Sequence, residues 1–417
     1  MKKKILTIVL IISFLKVGAQ TSAFKNVDSL VHIGRYQKAL VQLKKLPESY
    51  QSTKRMATIY SSIDNYKEAS KYYEKALLLN SEYSVKVALG KSYQKEKKLQ
   101  KAITVFEEII TTDSDNLLIN YQLGKLYLQT KQPTKAKRIF EELLKKDQSN
   151  ANYHYQMAIV YALLKKRDLK INSFLATYKN DNEHIKAIHQ LAVAYTLLRD
   201  KDSASIFIDR GLKVNTKHIA LNKLKINNLY ISKKYEDAIT LLFKIDSLEP
   251  NEHYTKKMLG RSFFKIKDYE KARNNFKKAL KIDRADFKSF TYLGDIDFAE
   301  KDYKSARFNY WYGTIVGKER RDNEYYQLAR AYKELGKPKE EINAYKNAYE
   351  ENYKNYRALF QLANTSENFY EDKKIAYKYY KSYINKFRTS DSLLTSQVKT
   401  RLKEIKKFYF LKGELLE

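Results

Sequence analysis

Met258-Leu259-Gly260-Arg261-Ser262-Phe263, followed by Asp268-Tyr269, Ala272, Phe276 and Ala279-Leu280, is the stretch whose reading decides the fold. Leu259, Gly260 and Phe263 recur at helical spacing, and so do Ala272, Phe276 and Ala279-Leu280. Between the two runs, Lys267-Asp268-Tyr269 reads as a turn. Ala272 and Phe276 stand four residues apart and therefore share one face of the second helix. The spacing predicts a helical hairpin with one apolar face, too short to be stable alone.

The same hairpin recurs along the chain. Its alanine returns as Ala39, Ala69, Ala102, Ala136, Ala204, Ala238, Ala272 and Ala306, with steps of 34 or 68 residues from Ala102 onward. Four residues later stands a bulky side chain: Leu43, Tyr73, Phe106, Phe140, Leu242, Phe276 or Tyr310. Twelve residues earlier stands a small one: Ala57, Gly90, Gly124, Ala192, Gly260 or Gly294. An aromatic lies nine residues ahead of the alanine, as Tyr60, Tyr93, Tyr127, Tyr195 and Phe263 do. A fixed period near 34 predicts hairpins stacked side by side, with the small residue and the alanine where two backbones approach most closely. Pro133 and Pro338 fall where a second helix starts, and Pro47 and Pro250 fall where one has ended.

Some units depart from the pattern. Lys170 and Glu341 replace the alanine in the fifth and tenth units, Ile226 takes the small position of the seventh, and the tenth is one residue longer. The first unit is short and the last, around Ala376, is eroded, as end units commonly are. Ser390 and Asp391 predict the cap of a final helix running to about Phe410, with Leu394, Val398, Leu402 and Ile405 on one face.

These residues resemble the tetratricopeptide repeat family, a 34-residue helix–turn–helix with a Leu-Gly pair, an aromatic three residues later, and Ala then Phe in the second helix. Leu123-Gly124, Tyr127, Ala136 and Phe140 carry it nearly as well as the stretch around Gly260. The resemblance covers about residues 20–388 and implies an all-α, right-handed solenoid of about eleven hairpins, closed by a capping helix over 389–417.

The first residues bear on location. Met1–Lys4 is positive, Ile5–Leu15 is apolar, and Val17-Gly18-Ala19 supplies small residues before Gln20. That order predicts a secretory signal over 1–19, export, and the periplasm or envelope of a Gram-negative bacterium. With no cysteine there is no disulfide, thiolate metal site, cysteine nucleophile or lipid attachment through a cysteine. The formal charge of +32, from 80 Lys and Arg against 48 Asp and Glu, would suit an anionic partner. The lysines are nevertheless spread along the whole chain, as solvated helix surfaces also produce.

Catalysis finds no foothold. None of the histidine pairs has the i, i+4 spacing of a helical metal site, and His184 and His189 point well apart on a helix. Glu107-Glu108 and Glu141-Glu142 read as solvated charges on second helices. No cofactor, catalytic residue or metal site is expected. In the family, the first helices line a concave groove. On that analogy the groove residues are Tyr121, Lys125, Tyr155, His189, Lys223, Asn227, Lys257, Arg261, Phe264, Tyr326 and Arg330. Lys223, Asn227 and Lys288 occupy positions that hold carboxylates in tetratricopeptide domains binding chaperone tails. Met258 and Tyr292 stand at the other polar positions, so that ligand is not expected. The expected function is a protein-interaction adaptor that grips a protein or peptide with acidic groups. The alternative is a charge-driven module for polysaccharide or acidic lipid. Nucleic acid is not expected as a partner for an exported chain, nor is a transmembrane segment in the mature protein.

Overall fold

The computed structural model describes residues 22–317 and 320–416, so the signal expected over 1–19 lies outside the described residues. Twenty-three α-helices and no strand occur among the described residues. The chain divides into two compact units, at 1–214 and 215–417.

The first unit holds six hairpins: α1 (22–32) with α2 (Tyr36–Lys45), α3 (Tyr50–Ser62) with α4 (Tyr66–Leu79), α5 (Tyr83–Lys95) with α6 (Leu99–Thr112), α7 (Leu117–Gln129) with α8 (Pro133–Lys146), α9 (Ala151–Leu163) with α10 (Arg167–Asn180), and α11 (Ile185–Leu197) with α12 (Lys201–Val214). The second holds five: α13 (Ile219–Ile231) with α14 (Tyr235–Leu248), α15 (His253–Lys265) with α16 (Tyr269–Ile282), α17 (Phe287–Ala299) with α18 (Tyr303–Val316), α19 (Asp322–Glu334) with α20 (Pro338–Glu351), and α21 (Tyr356–Phe369) with α22 (Lys374–Phe387). A longer helix, α23 (Ser392–Leu411), follows them and packs on α22. Its N-terminus is capped by the Asp391 carboxylate, which accepts from the Leu394 N–H at 3.1 Å. Pro133 and Pro338 each open a second helix.

Ten of the eleven hairpins, all but α21–α22, close with the same turn. The last turn of the first helix ends on a residue in the left-handed region, and the next N–H reaches back to the carbonyl five residues earlier. Gln132 donates to the Tyr127 carbonyl at 2.8 Å, and Asp268 to that of Phe263 at 3.0 Å. The left-handed residue is glycine at Gly34 and Gly336. Elsewhere it is charged: Asp64, Lys97, Lys131, Lys165, Arg199, Lys233, Lys267 and Lys301, with φ between 56° and 65°.

The repeated alanines are the innermost atoms of the stack: Ala39, Ala69, Ala102, Ala136, Ala238, Ala272 and Ala306 are fully buried. The glycines twelve residues upstream serve a different purpose from the one expected. They are small because a ring lies across them, the ring of the bulky residue on the second helix of the same hairpin. A methyl group on Gly124 would stand 2.7 Å from Cζ of Phe140, and one on Gly260 would stand 2.8 Å from Cδ1 of Phe276. Gly90 under Phe106 and Gly294 under Tyr310 repeat the arrangement. The close approach is ring to backbone within a hairpin.

Partly buried hydroxyl–carboxylate pairs add to this packing. Tyr127 donates to Glu107 across the boundary between two hairpins, and Tyr93 does the same to Glu74. Glu107, read from the sequence as a solvated charge, is thus half-buried and hydrogen-bonded, because the aromatic nine residues ahead of each alanine carries a hydroxyl needing an acceptor. Glu341, at the alanine position of the tenth hairpin, is buried with Thr365 donating to it at 2.8 Å, and burial raises its pKa.

Replacing Gly124 or Gly260 by leucine should destabilise its unit by several kcal/mol, because Phe140 or Phe276 cannot leave its place without opening a cavity. A denaturation midpoint close to wild type would contradict the ring-on-glycine packing. Conversely, Lys131→Gly and Lys267→Gly should each stabilise by about 0.5 kcal/mol, relief of left-handed strain outweighing the entropy lost with the side chain. Thermal melting of the single and double variants measures the gain.

Candidate functional site

The sequence-expected groove residues fall on the first helices, and in the second unit those of α13 and α15 are tied together. Lys223 and Asn227 lie on α13, Lys257, Arg261 and Phe264 on α15, and Tyr326 and Arg330 on α19. Tyr254, which sequence reasoning passed over, joins the first two helices. Its hydroxyl donates to Asn227 Oδ1 at 3.0 Å and to the Lys223 carbonyl at 3.2 Å, while the Lys223 ammonium sits 5.1 Å from its ring centre. Lys223 is also paired with Glu252 at 3.2 Å.

Arg261 is held in an aromatic bracket. Its guanidinium lies 4.5 Å from the Tyr230 ring centre, interacts electrostatically with Tyr292 and Tyr230, and donates to Met258 Sδ at 3.3 Å. Arg261 Nε is buried without a hydrogen-bond partner. Tyr292 in turn stacks on Phe276 at 5.0 Å and meets Phe264 edge-on at 5.4 Å. Phe264 therefore belongs as much to the packing of α15 on α17 as to any open surface. Burial raises the Tyr230 and Tyr254 phenols above their ordinary range.

Lys257 is committed elsewhere. It pairs at 2.6 Å with Asp286, whose carboxylate also meets His253 at 3.1 Å and the Ser289 hydroxyl at 2.6 Å. Burial alone would raise the Asp286 pKa, but the Lys257 and Ser289 hydrogen bonds and the Lys257 and His253 charges outweigh it and hold the carboxyl below the usual range.

Further on, Arg330 is exposed, lies 4.5 Å from the Phe298 ring centre and donates to Gln327 at 2.8 Å. Tyr326 is half-buried, edge-on to Tyr345 at 5.3 Å.

In the first unit, Lys125 on α7 stands 5.5 Å from the ring centre of Tyr121, which accepts from Gln156 at 3.3 Å. Tyr155 on α9 packs against His184 at 4.9 Å and Phe174 at 5.7 Å. His189 lies half-exposed on α11. The histidines caught elsewhere serve helix starts: His184 and His218 each accept, through Nδ1, the N–H three residues on. No group of three or more His, Cys, Asp or Glu side chains positioned for a metal occurs among the described residues.

One feature thus recurs on the first-helix face: a cation seated over an aromatic ring. It is seen in Lys125 on Tyr121, Lys223 on Tyr254, Arg261 on Tyr230 and Arg330 on Phe298. Composition had suggested free cations. Much of their charge is instead shared with neighbouring acids and rings, and the tyrosines that do this sharing gave no signal beyond their place in the period.

A stack of helical hairpins with this face defines an all-helical repeat protein. Family models described as tetratricopeptide repeat match residues 55–83, 93–159, 258–286 and 325–355. Tetratricopeptide repeats thus occur in both units of the chain. No curated protein matches it. Solved structures similar to it include the Cut9–Hcn1 hetero-tetramer of the APC/C, at 14% identity over 89% of this chain and 82% of that one, with a TM-score of 0.44. They also include yeast Tom70, at 14% identity, 94% and 96% coverage and a TM-score of 0.42. PilW, described as a type IV pilus biogenesis factor, is 15% identical over 51% of this chain and 97% of its own, with a TM-score of 0.44.

Asp286→Asn should cost on the order of 2 kcal/mol at pH 7, since Lys257 is left without its counter-charge. The folded pKa is depressed, so this contribution is present above the unfolded value near 4 and is lost as pH falls through the lower folded value. The gap in stability between wild type and variant should therefore close below about pH 4. A gap of constant size across an acid titration of the melting midpoint would show that the charge of Asp286 contributes nothing.

Proposed function

We propose that this chain is a non-enzymatic interaction scaffold, exported to the envelope of a Gram-negative bacterium, whose first-helix face holds a protein or peptide carrying acidic groups. The reading rests first on the repeat family, whose hairpin stacks serve protein–protein interaction in general. The observation that carries it further is the repeated cation-over-ring pair on α7, α13, α15 and α19. Such a pair offers an acidic group a fixed charge and offers the adjoining apolar side chain a flat ring, both already ordered, so little conformational entropy is lost on binding. Export rests on the residues of 1–19 alone.

Charge-driven capture of polysaccharide or acidic lipid is the rival, favoured by the +32 balance. Salt separates the two, because interactions between exposed charges are largely screened beyond about 10 Å at 0.1 M ionic strength.

The test is chemical cross-linking of the full chain in the envelope of its own cell, read by mass spectrometry. Wild type is compared with a Tyr326→Ala/Arg330→Ala variant, which spares the Lys257–Asp286 pair. A protein partner held by wild type and lost from the variant is expected. Binding indifferent to these residues and abolished by about 0.3 M salt would replace this reading with the charge-driven one.

A further inference from the structure

The outer side of α18 breaks the pattern that the second helices on either side of it, α16 and α20, follow. Counting from the repeated alanine, the second, fifth, sixth and ninth residues of a second helix face outward. In α16 they are Asn274, Lys277, Lys278 and Lys281, and in α20 they are Asn343, Lys346, Asn347 and Glu350, all exposed. In α18 they are Phe308, Trp311, Tyr312 and Ile315, exposed by 50%, 44%, 37% and 54%.

The four form one surface. Phe308 lies 5.1 Å from Tyr312 and 6.3 Å from Trp311, and Trp311 meets Tyr312 edge-on at 5.5 Å. Phe290 of α17 stacks on Tyr312 at 5.2 Å and fixes its ring. Beside them, Trp311 and Ile315 open onto a depression of about 470 Å3, lined further by Tyr325, Leu328, Tyr332 and Ala344. Arg321 and Glu340 also line it.

We infer that this face of α18 and the adjoining depression dock an acidic amphipathic helix of a partner protein. A helical stripe with apolar anchors at i, i+3, i+4 and i+7 is the shape that an apolar helix face packs against. From Phe308 to Ile315 it runs roughly 10 Å, two turns, which suits one short helix. The depression receives side chains that a bilayer surface would leave out.

Charge selects the partner. Lys277, Lys278 and Lys281 stand on the preceding second helix, so the apolar stripe has a basic border on that side; on the other side Lys346 is paired with Glu350. A second copy of the chain would bring the same basic border against it. It would also bury only a few hundred Å2 of contiguous apolar surface per partner, short of the roughly 800 Å2 that a stable dimer needs. The inference does not rest on the first-helix face; the two share only α19, where Tyr325, Leu328 and Tyr332 line the depression while Tyr326 and Arg330 belong to that face.

The chain has a single tryptophan, so Trp311 reports on its own burial. A displayed library of random peptides, selected against the full-length chain, should enrich sequences with Leu, Ile or Phe at i, i+4 and i+7 among Asp and Glu. Synthetic copies of these should shift Trp311 emission to the blue. Phe308→Glu should weaken them at least about tenfold, as loss of a central aromatic contact does, and Arg330→Ala should leave them unchanged. Ile315→Lys serves as a second variant; both substitutions are at exposed positions, and unchanged circular dichroism and melting would confirm that the fold is kept.

Four results would each overturn the inference: enrichment of peptides without this pattern; binding that survives both variants or is lost with Arg330→Ala instead; an emission shift with phosphatidylglycerol vesicles and none with any selected peptide; or a concentration-dependent dimer abolished by Phe308→Glu.

Discussion

Within each glycine-bearing hairpin, a ring from the second helix lies on a first-helix position where no side chain is allowed. Phe106 over Gly90, Phe140 over Gly124, Phe276 over Gly260 and Tyr310 over Gly294 are the same contact made four times. It fixes the distance between the two helices, and so it fixes where the first helix presents its outer residues. A 13-residue helix cannot hold its own shape in water, so its regularity has to come from this contact and from the neighbours that repeat it. The cation–ring pairs of the first-helix face inherit their spacing from it. Arg261 is aimed at Tyr230 because Gly260, one residue before it, is pinned under Phe276.

The period made the architecture readable, and the structure bears out an all-helical stack of tetratricopeptide hairpins. The alanines, the bulky residue four places on and the helix boundaries at the prolines were all evident from spacing, because close packing allows few residue types at those positions. The reason for the glycines was not evident, since a small residue is compatible with backbone contact and with a ring alike. Nor were the polar interior partners. Nothing in the sequence separates Glu107, which accepts a tyrosine hydroxyl, from Glu108, which is exposed beside it. The distinction rests on which side of a helix meets the next hairpin and on whether the aromatic there carries an oxygen.

The candidate site was legible as a set of positions but not as chemistry. Lys223, Lys257 and Arg261 were picked as cations, yet Glu252, Asp286 and two tyrosines absorb them into the structure. These partners sit about thirty residues away in sequence, one repeat along, where pattern reading assigns them to a different hairpin. A cation with a buried carboxylate against it is mainly an internal tie, and removing either member costs stability before it costs recognition. Arg330, whose exposed guanidinium lies over Phe298, stays open to an incoming group.

The lysines of the hairpin turns explain part of the net charge without any partner. Lys97, Lys131, Lys165, Arg199, Lys233, Lys267 and Lys301 all take the left-handed position that ends a first helix, where glycine is the easier choice. A cation there faces the negative end of the helix dipole, worth some tenths of a kcal/mol against a backbone strain of about 1 kcal/mol. Repetition multiplies that local compromise along the chain, and the charge it leaves lies at the turns. In a repeat protein whose common positions are fixed by packing, recognition is better sought where the repeat is broken. The seventh hairpin carries isoleucine at the small position and the tenth carries a buried glutamate for alanine; both changes are absorbed inside. The ninth replaces four solvated outer residues with Phe308, Trp311, Tyr312 and Ile315, a change that packing within the unit does not call for, since Ala306 and Tyr310 already complete its buried face.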